Sequence, residues 1–242
     1  MPEGPSILHL KDLLKPFTGK IVKQAGGYGT MPTAWIKNKK LLAINTWGKH
    51  LLFEFKNGAV KVHLGLFGEI IINERKKVNR SFYLEFNRAE INGYVVKAQK
   101  LTEPLNKLYD WRTDIMSKYF DAAYVKSLLK QNAQKPIHEV LMDQNIFTGV
   151  GNKIRNEGLY LAGIHPLSIV GKIPAPLISK LIKDVQRYAR LFYKELSTKG
   201  VNDSFNVYQQ KFAADGSEVT LKILPAGKRK LFYSEHRQKL FA

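Results

Sequence analysis

The sequence has no cysteine and comparatively few acidic residues, with 20 Asp and Glu against 39 Lys and Arg in 242 residues. The lack of cysteine excludes disulfide bonds and any zinc site built from thiolate ligands. The six histidines are scattered and offer no pair at a metal-ligand spacing. No apolar run is long enough to span a membrane and no signal peptide is visible. We therefore expect a soluble, cytoplasmic protein with no bound metal and no membrane partner.

Positive charge is what the chain has in excess. Its formal net charge is +19, which favours a polyanionic partner. Because the basic residues are spread through a sequence that is 44% hydrophobic, a folded nucleic-acid-binding protein fits better than a disordered basic tail. Ribosomal proteins and membrane-surface proteins carry similar charge, so composition alone does not separate these classes.

The first five residues combine an amine, a carboxylate and the start of a helix. Removal of Met1 would expose Pro2 as a free secondary amine beside Glu3. A terminal amine has a pKa of ~8, against ~10.4 for lysine, so far more of it is neutral and nucleophilic at pH 7. Apolar residues at helical spacing predict a helix over residues 5–17, whose positive end would face Pro2 and favour an ionised Glu3. The alternative is an ordinary N-terminus without a chemical role.

Short apolar or alternating segments follow the first helix and predict strands. Asn57-Gly58 signals a hairpin, and Asn92-Gly93 is expected to connect the last two strands. Short strands with close turns favour a β-sandwich. The predicted strands cover residues 20–24, 41–44, 51–55, 59–63, 69–72, 81–86 and 94–97.

Two short segments between these strands are candidates for contact with a nucleic acid. Lys49 follows Gly48 and is expected at the start of a strand, where its ammonium group would hold a phosphate or would simply protect a sheet edge. In residues 63–68, two glycines frame the apolar pair Leu66-Phe67. That pair would protrude and wedge between bases, or would pack on the core as a tight turn.

The pattern loosens over residues 102–117, where we place a domain boundary, and becomes helical beyond it. Helices are predicted over residues 121–130, 136–144, 153–162 and 176–196. The glycine-rich turn before residue 153 places Asn152 at a helix N-cap, where its amide and the helix dipole would face an anion. Such a contact binds a phosphate backbone without reading its sequence.

The C-terminal part of the chain predicts a β-hairpin with a basic return strand. Its segments are residues 206–208, 219–224 and 227–233, and Arg229 is the candidate phosphate contact. A solvated basic strand is the alternative. We predict domains at residues 1–112, 118–200 and 205–242.

The motifs of the chain occur in a recognisable order. They are Met1-Pro2-Glu3-Gly4-Pro5, Gly48-Lys49-His50-Leu51-Leu52, His63-Leu64-Gly65, Leu141-Met142-Asp143-Gln144, Gly149-Val150-Gly151-Asn152, Ala162-Gly163-Ile164-His165-Pro166 and the hairpin with Arg229. This set resembles the formamidopyrimidine-DNA glycosylase and endonuclease VIII family over nearly the whole chain. The resemblance implies an α+β fold, with an N-terminal β-sandwich and a C-terminal helix-two-turns-helix domain that grip bent DNA between them.

The resemblance also implies roles for individual residues. Pro2 is the expected nucleophile at the sugar C1′, and Glu3 is the acid/base near the ribose ring oxygen. Neither a cofactor nor a metal is implied. The implied DNA contacts are those of Lys49, Asn152 and Arg229 with phosphates, of Lys153 beside them, and of Leu66 in the gap left by the flipped base.

Two departures from many family members concern the C-terminal zinc finger of the family and the substrate. Ser234 and Arg237 stand where the last two of four zinc-binding cysteines would fall, so we expect the zincless hairpin of some members. Residues 197–206 are too few to contain the loop that caps 8-oxoguanine in the purine-specific branch. This favours endonuclease VIII-like substrates, which are oxidised pyrimidines and ring-opened purines.

Two further departures concern the gap filler and the catalytic carboxylates. Residues 95–101 lack a clear Arg-Phe pair of the kind that fills the duplex gap beside Leu66, and Ser6 stands where many relatives have a second glutamate. From the resemblance we expect a monomeric, nucleoid-associated DNA glycosylase with AP lyase activity on duplex DNA that contains damaged bases or abasic sites, and Ser6 is the departure that suggests a non-catalytic alternative. A catalytically weak lesion-binding protein of the same fold, and an RNA- or ribosome-associated protein, remain as alternatives.

Overall fold

The computed structural model describes residues 2–225 and 229–242, and the chain divides into two units, Met1–Tyr109 and Asp110–Ala242. Met1 and two residues of the predicted return strand, Gly227 and Lys228, lie outside the described residues. The three-domain division stays a prediction.

The first unit is built from one long helix and two antiparallel sheets. One sheet has the strand order β1-β6-β7-β5 and the other has the order β2-β3-β4-β8. In chain order the elements are α1 (Gly4–Leu14), a 3-10 turn (Lys15–Phe17), β1 (Gln24–Gly26), a second 3-10 turn (Ala34–Ile36), β2 (Ala43–Trp47), β3 (His50–Phe55), β4 (Gly58–His63), β5 (Glu69–Ile72), β6 (Phe82–Phe86), β7 (Ala89–Tyr94), β8 (Lys97–Leu101) and α2 (Leu105–Leu108).

Both sheets contribute alternate residues to one apolar core, which gives the predicted β-sandwich. Phe53 of β3 and Phe82 of β6 are fully buried and lie 6.1 Å apart between ring centroids. From α1, Ile7 and Leu14 join the same cluster. The alternate residues of β6 that are buried and the helically spaced apolar residues of α1 therefore pack in the same core.

Two strand predictions were wrong in position. Residues 20–24 contain only an isolated bridge at Ile21 and the first residue of β1. Asn92-Gly93 lies inside β7, because Asn92 is fully buried and donates to the carbonyl of Glu74 at 2.8 Å. The two-residue turn between β6 and β7 falls instead at Asn87-Arg88, and the predicted strand 94–97 spans the end of β7 and the start of β8.

The second unit contains helices followed by a two-stranded hairpin. Its elements are α3 (Ala122–Gln131), α4 (Ile137–Val140), α5 (Asn152–Ala162), a 3-10 turn (Val170–Lys172), α6 (Ala175–Lys199), β9 (Thr220–Ile223) and β10 (Lys230–Tyr233). The helix predicted over 136–144 is only the four residues of α4 followed by hydrogen-bonded turns, and residues 206–208 are not a strand.

Helices α5 and α6 form the centre of the second unit. A side chain at Gly158 of α5 would place its Cβ 2.6 Å from Val185 of α6, so glycine lets the two helices approach closely. Leu181, Val185 and Tyr188 of α6 are buried on this side. The amphipathic pattern predicted for residues 176–196 thus marks the core face of α6.

The hairpin of β9 and β10 is held by side-chain contacts around Ser234 and Arg237. The hydroxyl oxygens of Ser217 and Ser234 lie 2.6 Å apart, and the N–H of Ser234 donates to the side-chain oxygen of Gln238 at 3.0 Å. The guanidinium of Arg237 stacks on the ring of Tyr160 at 4.8 Å and donates to its carbonyl at 3.2 Å. The contacts of Arg237 fasten the segment after β10 to α5.

Candidate active site

The N-terminus of α1 orders the segment that contains the predicted nucleophile. Glu3 is the N-cap of the helix with extended backbone, and its carbonyl accepts from the N–H of Ser6 at 2.9 Å and from that of Ile7 at 3.2 Å. The hydroxyl of Ser6 in turn lies 3.5 Å from the N–H of Glu3. Glu3 is only 1% exposed, so its carboxylate is held beside Pro2 at the positive end of the helix.

A pocket of about 150 Å³ brings together three of the predicted residues, Pro2, Lys49 and Leu66. His63 lies in the same pocket and was not among the predicted site residues. The pocket therefore combines a half-buried proline, an ammonium group, an imidazole and an apolar side chain.

Lys49 reaches the pocket from the turn between β2 and β3. Trp47 pairs with His50 across this hairpin, so Gly48 and Lys49 form its two-residue turn. The prediction placed Lys49 at a strand start, and the structure moves it to the turn itself, because β3 begins at His50. A turn position lets the side chain extend beyond the sheet edge, as a phosphate contact requires.

His63 is oriented by the backbone of the following turn. Its Nδ1 accepts from the N–H of Gly65 at 3.1 Å, so in the neutral ring the proton is on Nε2. Burial lowers the pKa of His63, and the nearby charges of Lys49, Lys61 and Lys97 lower it further. At neutral pH this residue offers an uncharged N–H donor beside the ammonium group of Lys49.

The turn over residues 65–68 presents two apolar side chains to solvent. Leu66 is 53% exposed and Phe67 is 79% exposed. The turn closes through the N–H of Gly68, which donates to the carbonyl of Leu64 at 2.8 Å, and a Cβ at Gly68 would lie 2.1 Å from that carbonyl oxygen. Glycine is required there, and the pair protrudes instead of joining the core.

The second unit places Asn152 at the start of α5. The turn before it is clamped by Gln144, whose side chain donates to the carbonyl of Val150 at 3.1 Å and accepts from the N–H of Gly149 at 3.1 Å. Gly151 is the N-cap, so Asn152 is the first helical residue and not the predicted cap. Its Oδ1 is buried and has no hydrogen-bond partner among the described residues.

Lys153, the next residue, is held between two aromatic rings. Its ammonium group lies 5.0 Å from the ring centroid of Phe192 in α6 and 5.3 Å from that of Phe205. These cation–π contacts keep the charge close to the start of α5.

Arg229 lines a groove of about 690 Å³ in the second unit, together with His138, Glu139, Asp143 and Arg155. Arg229 is exposed, and its carbonyl accepts from the N–H of Leu224 at 2.8 Å across the hairpin. Asn152 is not among the lining residues of this groove, and Arg155, one turn later in α5, is. Two arginines thus provide the positive charge of the groove.

Three consecutive polar residues of α5 bind the backbone of the hairpin and of the segment before it, and no sequence pattern marks them out. Arg155 is fully buried and donates to the carbonyl of Lys230 at 2.7 Å. Asn156 accepts from the N–H of Phe232 at 3.2 Å. The buried carboxylate of Glu157 accepts from the backbone N–H groups of residues 206, 207 and 208 at 2.8–3.0 Å.

Two other kinds of site are absent from residues 2–225 and 229–242. That part of the chain contains no group of three or more His, Cys, Asp or Glu side chains able to hold a metal ion. None of its helices has the length and apolarity needed to cross a bilayer.

Comparison with known sequences identifies a matching family model and several related proteins. A family model, the formamidopyrimidine-DNA glycosylase H2TH domain, matches residues 113–191. Formamidopyrimidine-DNA glycosylase of Shewanella halifaxensis is 31% identical over 211 residues, which cover 77% of this chain and 76% of that protein. Endonuclease 8-like 3 of Bos taurus is 26% identical over 206 residues, which cover 81% of this chain but only 34% of that protein.

Solved structures share the fold across the whole chain. The Lactococcus lactis formamidopyrimidine-DNA glycosylase, crystallised non-covalently bound to DNA with an AP site, superposes with a TM-score of 0.84 at 16% identity and covers 98% of this chain and 99% of its own. The predicted α+β architecture is confirmed. By its sequence relatives and its fold, this chain belongs to the formamidopyrimidine-DNA glycosylase and endonuclease VIII family.

Proposed function

We propose that the protein is a bifunctional DNA glycosylase and AP lyase of base-excision repair, with the amine of Pro2 as nucleophile. The observation that carries this proposal is the convergence of Pro2, Lys49 and Leu66 on one pocket, with Glu3 buried beside it. An amine, a phosphate-binding cation and an apolar wedge are the groups that attack on an everted nucleotide requires.

In the first step, the nitrogen of Pro2 attacks C1′ and the bond from C1′ to the base breaks. The electron pair of that bond leaves with the base, which takes up a proton. Glu3 accepts the proton from the new C1′ ammonium and delivers it to the ring oxygen O4′ as the C1′–O4′ bond opens. An iminium between C1′ and Pro2 remains.

Strand cleavage follows from the acidity that the iminium gives to C2′. Loss of a C2′ proton to a base expels the 3′ phosphate, and loss of a C4′ proton then expels the 5′ phosphate. Water hydrolyses the remaining iminium and returns the free amine of Pro2.

Phosphate contacts would supply the binding energy that offsets unstacking of the damaged base, which costs a few kcal/mol. Lys49 is proposed to hold a phosphate near the everted nucleotide, while Asn152 and Arg229 of the second unit hold others. Lys153 adds positive charge at the start of α5. Duplex DNA with damaged bases or abasic sites is the proposed partner of both units.

The substrates proposed are oxidised pyrimidines and ring-opened purines. Support comes from the segment after α6, which is tied down instead of forming a free loop. Asn202 donates to the carboxylate of Glu195 at 2.7 Å, and Ser204 also donates to that carboxylate. Beyond it, residues 206–208 are bonded to Glu157. A segment held in this way has little free length with which to cap a purine.

The test is covalent trapping with borohydride on duplex DNA that contains an abasic site. Protein whose Met1 has been removed should form a reduced adduct, and Pro2→Ala should abolish it. Lys49→Met should lower the trapping rate by about 10²-fold, the lower end of the effect expected for loss of one oriented electrostatic contact. The matched control is Lys56→Met, which changes a lysine in the two-residue turn at the other end of β3.

A lesion-binding protein without catalysis is the second candidate, and Ser6 is the observation that favours it. At this position the chain has a hydroxyl that approaches the N–H of Glu3 where many relatives have a second carboxylate. Tight binding to abasic duplex without any trapped adduct, in protein whose mass shows that Met1 is absent, would select this alternative.

A further inference from the structure

The exposed side of α6 carries a regular row of basic residues that the proposed active site does not use. Lys180, Lys183, Arg187, Arg190 and Lys194 are spaced alternately by three and four residues, and all five are exposed. At about 100° per residue, this spacing confines them to a stripe roughly 80° wide and about 21 Å long. We call these five residues the α6 basic face.

Only part of this positive charge is neutralised within the unit. Asp184 lies 2.7 Å from the ammonium of Lys180 and 3.2 Å from the guanidinium of Arg187. Among residues 2–225 and 229–242, no acidic side chain forms an ion pair with Lys183, Arg190 or Lys194. Three exposed cations in one row repel one another, which favours an external anion.

The three cations of the α6 basic face that have no ion pair among the described residues point away from the DNA contacts proposed for α5, whereas Lys180 donates to the carbonyl of Leu161 at the end of α5. On α6, Phe192 marks the side that faces α5, because its ring holds the ammonium group of Lys153. Lys183, Arg190 and Lys194 lie roughly 160–180° around the helix axis from Phe192. A phosphate bound at the start of α5 is therefore on the opposite side of α6 from this row.

The chemistry of the row fits a phosphate backbone better than other anionic partners. It contains no aromatic side chain, so it offers no platform on which unpaired bases would stack. The opposite side of α6 is buried in the core, so the helix has no free apolar face to enter a membrane. A length of about 21 Å corresponds to about six phosphates of one strand at 3.4 Å each.

We propose that the α6 basic face binds the backbone of a second segment of duplex DNA, separate from the duplex held by Asn152 and Arg229. The protein would then bridge two duplexes, or two parts of one DNA molecule. The choice of DNA as the polyanion rests on the proposed function, whereas the existence of a separate anionic surface does not.

The test uses protein whose first site is already filled. An unlabelled short duplex with an abasic site is trapped on the enzyme with borohydride, and binding of a labelled, undamaged duplex to the covalent complex is followed by fluorescence anisotropy at several salt concentrations. The trapping yield reports separately on the proposed function. If no adduct forms, the same titration is made with protein saturated by unlabelled abasic duplex.

The variant is the triple substitution Lys183→Gln, Arg190→Gln and Lys194→Gln. Glutamine keeps a similar helix propensity, so α6 remains intact while three charges are lost. The matched control is Lys23→Gln, Lys39→Gln and Lys77→Gln, which removes three charges from exposed lysines of the first unit. Circular dichroism checks that both variants are folded.

We expect the α6 variant to bind the second duplex at least tenfold more weakly and to lower the salt slope by about two to three, with trapping unchanged. The control should change affinity by less than about threefold. Equal effects of the two triple variants, or no binding of a second duplex by the wild type, would overturn the proposal. Competition by polyglutamate that equals DNA at the same charge would instead assign the surface to an acidic polypeptide.

Discussion

At the scale of single residues, the histidines of the first unit connect burial to pH dependence. Burial lowers the pKa of His50 to about 4, and the charges of Lys61 and His63 add to this effect. In the unfolded chain the pKa is ~6.5, so the unfolded state binds a proton first as the pH falls. The stability contributed by neutral His50 is therefore lost from pH 6.5 down to about pH 4.

Replacing His50 by phenylalanine should remove this share of the pH dependence. The ring contacts Trp47 and Tyr109, and its Nδ1 has no partner among the described residues, so an apolar ring fits the same surroundings. Between pH 7 and pH 5 the wild type should lose about 1–2 kcal/mol more unfolding free energy than His50→Phe. Urea denaturation at both pH values measures the difference, and identical pH dependence would contradict the assignment.

Asn152 allows stability and DNA binding to be separated at one position. A negative charge near a helix N-terminus stabilises the helix by about 0.3–1 kcal/mol, but it repels a phosphate at the same place. Asn152→Asp should therefore weaken binding to abasic duplex at least tenfold, with little change in the melting temperature, because the gain at the helix end opposes the cost of placing charge on a buried oxygen. Asn57→Asp, in an exposed turn of the first unit, is the control, and equal binding losses in both variants would remove Asn152 from the interface.

At the scale of elements, α5 holds the segment before the hairpin that carries Arg229, and Tyr208 of that segment packs on Phe232 of β10 with 5.3 Å between ring centroids. The carboxylate of Glu157 accepts from three backbone N–H groups and from the side chain of Asn206. In Glu157→Gln an amide group would face several of these donors. We expect unfolding free energy to fall by about 2–4 kcal/mol, because hydrogen bonds to charged groups contribute about 1.5–3 kcal/mol each.

The same variant also tests whether hairpin position matters for DNA contact. Arg229→Ala should lower the salt slope of DNA binding by about one, because one phosphate contact is lost, and Glu157→Gln should do the same under conditions where it is still folded. Glu218→Gln changes an exposed carboxylate of the finger and should leave both quantities unchanged. Loss of stability with an unchanged salt slope would mean that Glu157 does not act through Arg229.

For the turn over residues 65–68 we predict that substitutions weaken DNA binding without lowering the stability of the fold. Because Leu66 and Phe67 are exposed, their truncation to alanine should change unfolding free energy by less than about 0.5 kcal/mol. Binding to lesion-bearing duplex should weaken about tenfold for each, since the wedge that offsets unstacking is lost. Leu13→Ala, at 51% exposure on α1, is the control. Equal lesion affinity in all three variants would exclude a wedge role.

Elements determined by local interactions could be predicted from the sequence, whereas elements determined by long-range contacts could not. Asn57-Gly58 predicted its hairpin correctly because the turn is local. Asn92-Gly93 misled, since tertiary hydrogen bonds bury Asn92 within β7, and no local pattern records them. Arg155 and Glu157 look like an exposed polar stretch in sequence, yet partners about 50 or more residues away hold both in the interior.

The same contrast between local motifs and long-range contacts applies to the residues of the candidate site. Pro2, Lys49 and Leu66 stand in short local motifs, and the pocket contains all three. His63 stands out in the sequence only as part of a motif, and its place beside Lys49 depends on the pairing of β3 with β4, where His50 and His63 lie opposite each other. Sequence spacing alone does not reveal such a cross-strand neighbour.

At the scale of the whole molecule, the net charge of +19 is divided among surfaces of different kinds. Lys49 stands in a pocket, Arg229 lines a groove and the α6 basic face is open to solvent. A diffuse positive field would steer any polyanion towards the protein. By contrast, Lys49, Arg229 and the α6 basic face are each proposed to bind different phosphates of DNA. Of these three positions, the pocket of Lys49 is the one that also contains the proposed nucleophile, Pro2.

Mass mapping of the trapped adduct is the sharpest test of Pro2 as the nucleophile. Protein without Met1 is incubated with abasic duplex and borohydride, then digested with nuclease and protease, and the peptide that carries the sugar remnant is sequenced by mass spectrometry. We predict a single modified peptide with the remnant on the nitrogen of Pro2. A remnant on a lysine side chain, with Pro2 unmodified, would contradict this assignment.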